Sequence, residues 1–141
     1  MKPKLLLRIA SAVMLLHAVG HTFGALTWNK APNEAVADVI RGMVANSFEF
    51  MGRRVTLASF YSGYGIALIF VLLLITVLLW LFGGNTADRM TRQALPFVIV
   101  FLGCFSVTEW IYFFPTASIM SMVAAVLALL GYVRLRRLPV A

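Results

Sequence analysis

LLLRIASAVMLLHAVGHTFGALTW, residues 5–28, decides how the rest of the chain is to be read. About 20 residues at 1.5 Å each cross the hydrocarbon core of a bilayer, so this apolar run is long enough to span one. Near its middle stand two histidines, His17 and His21, and two glycines, Gly20 and Gly24. On a helix each pair is one turn apart and the two pairs lie side by side. The glycines predict the close approach of a second helix, which the imidazoles then face in place of lipid. Lys2, Lys4 and Arg8 precede or enter the run, and Arg8 is placed to snorkel to the headgroups. A basic start and Ala18-Val19-Gly20 also loosely imitate a cleaved signal peptide. Two histidines beside the cut are out of keeping with an apolar signal core, and the span is preferred.

Three more runs follow, giving an all-α fold: an antiparallel bundle of four transmembrane helices at approximately 5–28, 55–82, 94–114 and 117–133, in a single integral membrane domain covering residues 1–141. The second run ends at Gly83-Gly84-Asn85, a strong helix stop. Pro115-Thr116 makes the turn between the third and fourth, so these two form a hairpin. The one sizeable polar segment is 29–54. Pro32 and Asn33 suit a helix start. Val36, Val39, Ile40, Met43 and Val44 then form an apolar stripe with Glu34, Asp38 and Arg41 away from it. That pattern predicts a short amphipathic outer helix, lying on the membrane surface or capping the bundle.

Composition agrees with this reading. The 141 residues are 62% hydrophobic, with a mean hydropathy of +0.93, which is the profile of a membrane protein. A net charge of +7 would point to nucleic acid in a soluble chain. Here the basic residues sit at the ends of apolar runs, where they report topology, and no nucleic-acid partner is expected. Lys2, Lys4, Arg8, Arg89, Arg92, Arg134, Arg136 and Arg137 fall on one side; Lys30, Arg41, Arg53 and Arg54 fall on the other. The positive-inside rule then places both termini in the cytoplasm and the 29–54 segment outside. Cys104 is the single cysteine, which excludes an intrachain disulfide and a cysteine-based zinc site.

The polar residues inside the apolar runs are the candidate site. Glu109, near the outer end of the third run, is the one intramembrane carboxylate. A charged side chain at a helix centre costs about 2.5–3.5 kcal/mol on the insertion scale, so it is a functional candidate that needs a partner. His21 is the expected partner, with Arg53 or Arg54 second; His17 lies a turn deeper. Tyr61 shares a stripe with Ala58, Gly65 and Leu68, and Glu109 shares one with Leu102, Phe105, Tyr112 and Phe113. Depths counted from the span ends then predict an outer-leaflet ligand site lined by His17, His21, Tyr61, Tyr64, Glu109 and Tyr112. Two histidines and a carboxylate are the donor set of zinc or non-haem iron. They supply only three ligands and no separate base, and no metal is assigned. A haem held between two histidines needs them on opposite sides of the iron, which neighbours on one helix do not provide. Acid–base chemistry on a lipid-like substrate, with His and Glu as the proton carriers, is a third reading. The cofactor is left open.

HAVGHTFG in the first run, FEFMGRR before the second and FYSGYG opening it resemble a family of small four-span bacterial inner-membrane proteins without an assigned activity. The size and topology are also similar to those of the DoxX-like proteins. The resemblance implies a multi-pass protein of the bacterial inner membrane with the lipid bilayer as its surroundings, and it carries no catalytic role to any residue. Two functions are therefore expected as alternatives. One is the binding of a lipid-like or other small hydrophobic ligand. The other is a non-enzymatic structural or assembly role, in which the small-residue faces Gly20/Gly24 and Ala124/Ala128 dock a partner membrane protein or a second copy. Whether the protein is an enzyme is undecided at this level.

Overall fold

The computed structural model describes residues 2–137. The fold is all-α and contains four helices long and apolar enough to cross a membrane: α1 (Pro3–Thr27), α3 (Leu57–Gly84), α4 (Arg89–Tyr112) and α5 (Pro115–Leu135). Between the first two lie a shorter helix, α2 (Glu34–Ala45), and a hairpin of β1 (Ser47–Phe50) and β2 (Arg53–Thr56). Only 22–39% of the apolar window of each long helix is buried within the protein. Side chains such as Leu16, Phe70 and Phe97 are exposed. Apolar surface on this scale is costly in water and costs nothing against acyl chains, so these helices belong in a membrane.

The element boundaries follow from local chemistry. Asn33 caps α2, its side chain accepting from the backbone N–H of Val36 at 3.0 Å. Arg41 reaches back to Glu34 and Asp38 on the polar face. No residue of α2 is fully buried; of its apolar stripe Val36, Val39 and Val44 are exposed and Ile40 and Met43 half-buried. Thr56 and Ser59 form a reciprocal capping box, each side chain accepting from the other's backbone N–H at 3.1 Å. That is why α3 starts at Leu57 although the apolar run starts at Val55. Asp88 caps α4 by accepting from Met90 N, which starts this helix about one turn before the apolar run at Ala94. Pro115 opens α5 at its first turn, where its missing N–H costs nothing.

The hairpin is the one element that the periodicity does not announce. β1 and β2 pair antiparallel, from Ser47 opposite Thr56 to Phe50 opposite Arg53. Met51 and Gly52 form the connection with φ of 50° and 76°. Two consecutive positive φ values match the two-residue hairpin turn whose twist fits paired strands. Glycine adopts this readily, whereas methionine does so at a cost.

Close packing divides the chain, read above as one domain, into two compact units. One comprises residues up to Ala18 and from Leu72 onward; the other is Val19–Val71. In the first unit Leu7 is fully buried and is met by two glycines. A Cβ at Gly131 of α5 would stand 3.2 Å from the Leu7 side chain, and one at Gly83 of α3 would stand 3.4 Å from Leu7 Cβ and 3.3 Å from the Lys4 carbonyl. Ala124, Ala128 and Gly131 form a buried stripe on α5. The Ala124/Ala128 face, expected to dock a partner, is thus consumed by packing within this chain. Arg8 lies over the Trp80 ring at 4.3 Å, a cation–π contact that covers its charge at the membrane edge.

In the second unit the close helix approach is made at Gly65 of α3, where an added Cβ would be 3.2 Å from Ala25 Cβ. It is not made at Gly20 or Gly24: among the described residues, nothing lies within 4 Å of a Cβ built at either. The flat surface that brings the helices together is therefore on the partner helix, and the α1 glycines are left open. Phe48 and Phe50 seat the hairpin on Phe60, with ring centroids 6.2 and 5.5 Å away.

Candidate functional site

Helix α1 buries a stripe of Leu7, Ala10, Met14 and His17, spaced three or four residues apart. Helix α4 buries Leu95, Val98, Leu102, Ser106 and Glu109 at the same spacing. Where these stripes end, His17 Nε2 stands 3.1 Å from Glu109 Oε1. The second imidazole nitrogen, Nδ1, is 3.3 Å from Ser121 Oγ on α5. One tautomer satisfies both contacts: Nε2–H donates to the carboxylate, and Nδ1 accepts the serine hydroxyl proton. His17, Glu109 and Ser121 are 5%, 3% and 0% exposed, so a single imidazole ties three spans together out of reach of solvent. The Phe105 ring flanks the histidine at 6.3 Å.

One atom in this core is unsatisfied. Glu109 Oε2 is buried and has no hydrogen-bond partner among the described residues. A buried acceptor without a donor costs about 1–3 kcal/mol. Close by, between α4 and α5, the hydroxyls of Ser106 and Ser118 stand 3.0 Å apart, and each is also within donating distance of the other's backbone carbonyl, at 2.9 and 2.8 Å, so the one proton on each has two acceptors within reach. They border a groove of about 260 Å³ lined also by Val107, Trp110, Ile119 and Met122. Ser106 is one turn from Glu109 on α4.

The expected site residues are distributed as follows. His17 and Glu109 meet. The pairing of Glu109 with His21 is corrected: the partner is His17, and His21 Nε2 lies 3.0 Å from the Gly65 carbonyl. Depth counted from span ends misled here. Glu109 is about one turn from the end of α4, whereas its partner is nearly three turns from the end of α1. The α4 stripe is corrected too. Glu109 shares its buried face with Leu102 and Ser106, while Tyr112 and Phe113 are exposed, Tyr112 by 76%. Tyr61 and Tyr64 are exposed in the second unit. There Tyr61 packs on Trp28 at 4.9 Å, Trp28 Nε1 donates to Ser62 Oγ at 3.2 Å, and Tyr64 stacks near Phe60. Ser121 is the residue that the sequence reading missed. It lies on the same stripe as Ala117, Ala124 and Ala128, and a hydroxyl on an otherwise small, apolar stripe was the available signal.

Among the described residues, no three His, Cys, Asp or Glu side chains are grouped to hold a metal ion. The chain matches no family model, no curated protein and no solved structure.

Proposed function

We propose that this is a multi-pass protein of a bacterial inner membrane with both termini cytoplasmic, and that Glu109 is the polar anchor of a site for a small hydrophobic or lipid-like ligand. The carrying observation is the buried, unpartnered Oε2 of Glu109. His17 holds the other carboxylate oxygen and fixes the orientation of the carboxylate. A guest bearing a hydroxyl, amine or amide donor would satisfy the remaining oxygen. The groove bordered by Ser106, Trp110 and Met122, of which Ser106 is one turn from Glu109 on α4, is the apolar bed in this reading.

The test is the composition of the purified protein. A donor-bearing hydrophobic compound, near one per chain by mass spectrometry of the extracted protein, should accompany the wild type and be depleted from Glu109→Gln. Identical extracts from the two proteins would end the ligand reading. A structural or assembly role is the second reading, favoured by the enclosure of His17, Glu109 and Ser121. It expects identical extracts together with a membrane protein that co-purifies.

Orientation is tested separately with Cys104→Ser as background. Ile40→Cys should react with a membrane-impermeant maleimide added outside intact cells, and Met90→Cys only after the inner face is opened. Reaction of both from one side would overturn the topology.

A further inference from the structure

We propose that the C-terminal end of α5 carries a binding site for one anionic phospholipid, with its phosphate held by Arg134 and Arg137 and an acyl chain laid along Leu130 and Val133. These four residues line a groove of about 380 Å³. Leu130, Val133 and Arg134 recur at helical spacing on a single face of α5, Arg137 follows in the turn just past the last helical residue, Leu135, and all four are exposed. The opposite face is consumed by packing, with Ala128, Gly131 and Leu135 buried. The groove is therefore the outward side of a membrane helix at the point where its surface changes from aliphatic to basic.

A phospholipid has the same two halves in the same order. Its acyl chain matches Leu130 and Val133, and its phosphate matches two guanidiniums one turn apart, each able to offer paired N–H donors to phosphate oxygens. A zwitterionic lipid offers the same chain but sets a cationic group beside the arginines. The site is independent of the Glu109 reading, since it shares no residue with it. The competing account is that the arginines merely snorkel to the bulk headgroup layer and favour the helix C-terminus. That account predicts no lipid selectivity and no difference between these arginines and their neighbour Arg136, which does not line the groove.

The experiment is native mass spectrometry of the full chain in detergent, titrated with phosphatidylglycerol or with phosphatidylcholine of the same acyl chains. The wild type should take up one phosphatidylglycerol ahead of any further adduct, with an affinity about tenfold above that for phosphatidylcholine, as expected for two basic groups near an anionic lipid. Arg134→Gln/Arg137→Gln should erase the preference, and Arg136→Gln, which removes the same kind of charge, should keep it. Arg137→Gln alone, in the turn beyond the helix, serves if the double variant does not fold, and should reduce the preference. Millimolar inorganic phosphate should leave the adduct in place. Equal uptake of the two lipids, a preference that survives loss of the groove arginines, an equal loss in Arg136→Gln, or displacement by free phosphate would each overturn the proposal.

Discussion

Glu109→Gln and His17→Phe should each lower the stability of the protein in detergent by about 2 kcal/mol, and the double variant should lose clearly less than their sum. Each partner is almost fully buried, and the two lie 3.1 Å apart. His17→Phe strands the buried carboxylate, and Glu109→Gln gives His17 a weaker, uncharged acceptor while burying an amide NH2 group that has no acceptor of its own, in a place that water does not reach. Once one is gone, the second substitution removes a group already stranded, so a coupling of about 1–2 kcal/mol should appear in the cycle. His21→Phe behaves differently. Its ring nitrogen faces the Gly65 carbonyl, so it should cost no more than about 1 kcal/mol and add to Glu109→Gln. The measurement is thermal or denaturant unfolding in one detergent for all five variants and the wild type. Coupling between His21 and Glu109, with none for His17, would show that the carboxylate has the other partner.

Leu7→Ala should be among the most damaging single truncations of the apolar core, at about 2–4 kcal/mol. Leu7 is fully buried and stands between the glycine surfaces of α3 and α5. The flat positions Gly83 and Gly131 exist because a large side chain fills the space above them. Shortening that side chain leaves a void that backbone cannot collapse to fill. Leu16→Ala removes the same atoms from the same helix at a position that is 63% exposed, and should change stability by no more than about 0.5 kcal/mol. Equal losses at the two positions would mean that α1 packs through a different face.

The four long helices were legible because a span is a matter of length and apolarity, and both are local properties of the sequence. The amphipathic α2 was legible for the same reason, with Asn33 marking its start. The hairpin was not, because Met51 at the turn replaces the usual glycine or asparagine and the strands are only four residues each. Of the site, the presence of Glu109 and the need for a histidine partner could be read. Which histidine could not, since that depends on how far one helix is shifted along another. Leu7 against Gly131 and Gly83 marks how α1 sits along α5 and α3 in the first unit, and no periodicity within a single helix records a shift of this kind. Ser121 stayed hidden because a serine on an alanine-rich face looks like one more small residue until a donor or acceptor is brought opposite it.

The serine and threonine bonds of the spans have a further consequence, which concerns electrical leakage. Ser11 Oγ donates to the Thr76 carbonyl, Thr76 to that of Leu72, Thr108 to that of Cys104, and Ser106 and Ser118 to each other's carbonyls. A backbone carbonyl accepts a proton's hydrogen bond and has no proton of its own to hand onward. Each of these contacts is a terminus, and a chain of termini is not a wire. Taken by themselves, these hydroxyl contacts offer no relay for a proton along the helices, and the chain from Ser121 through His17 to Glu109 is the contrasting case, since an imidazole can both accept and donate.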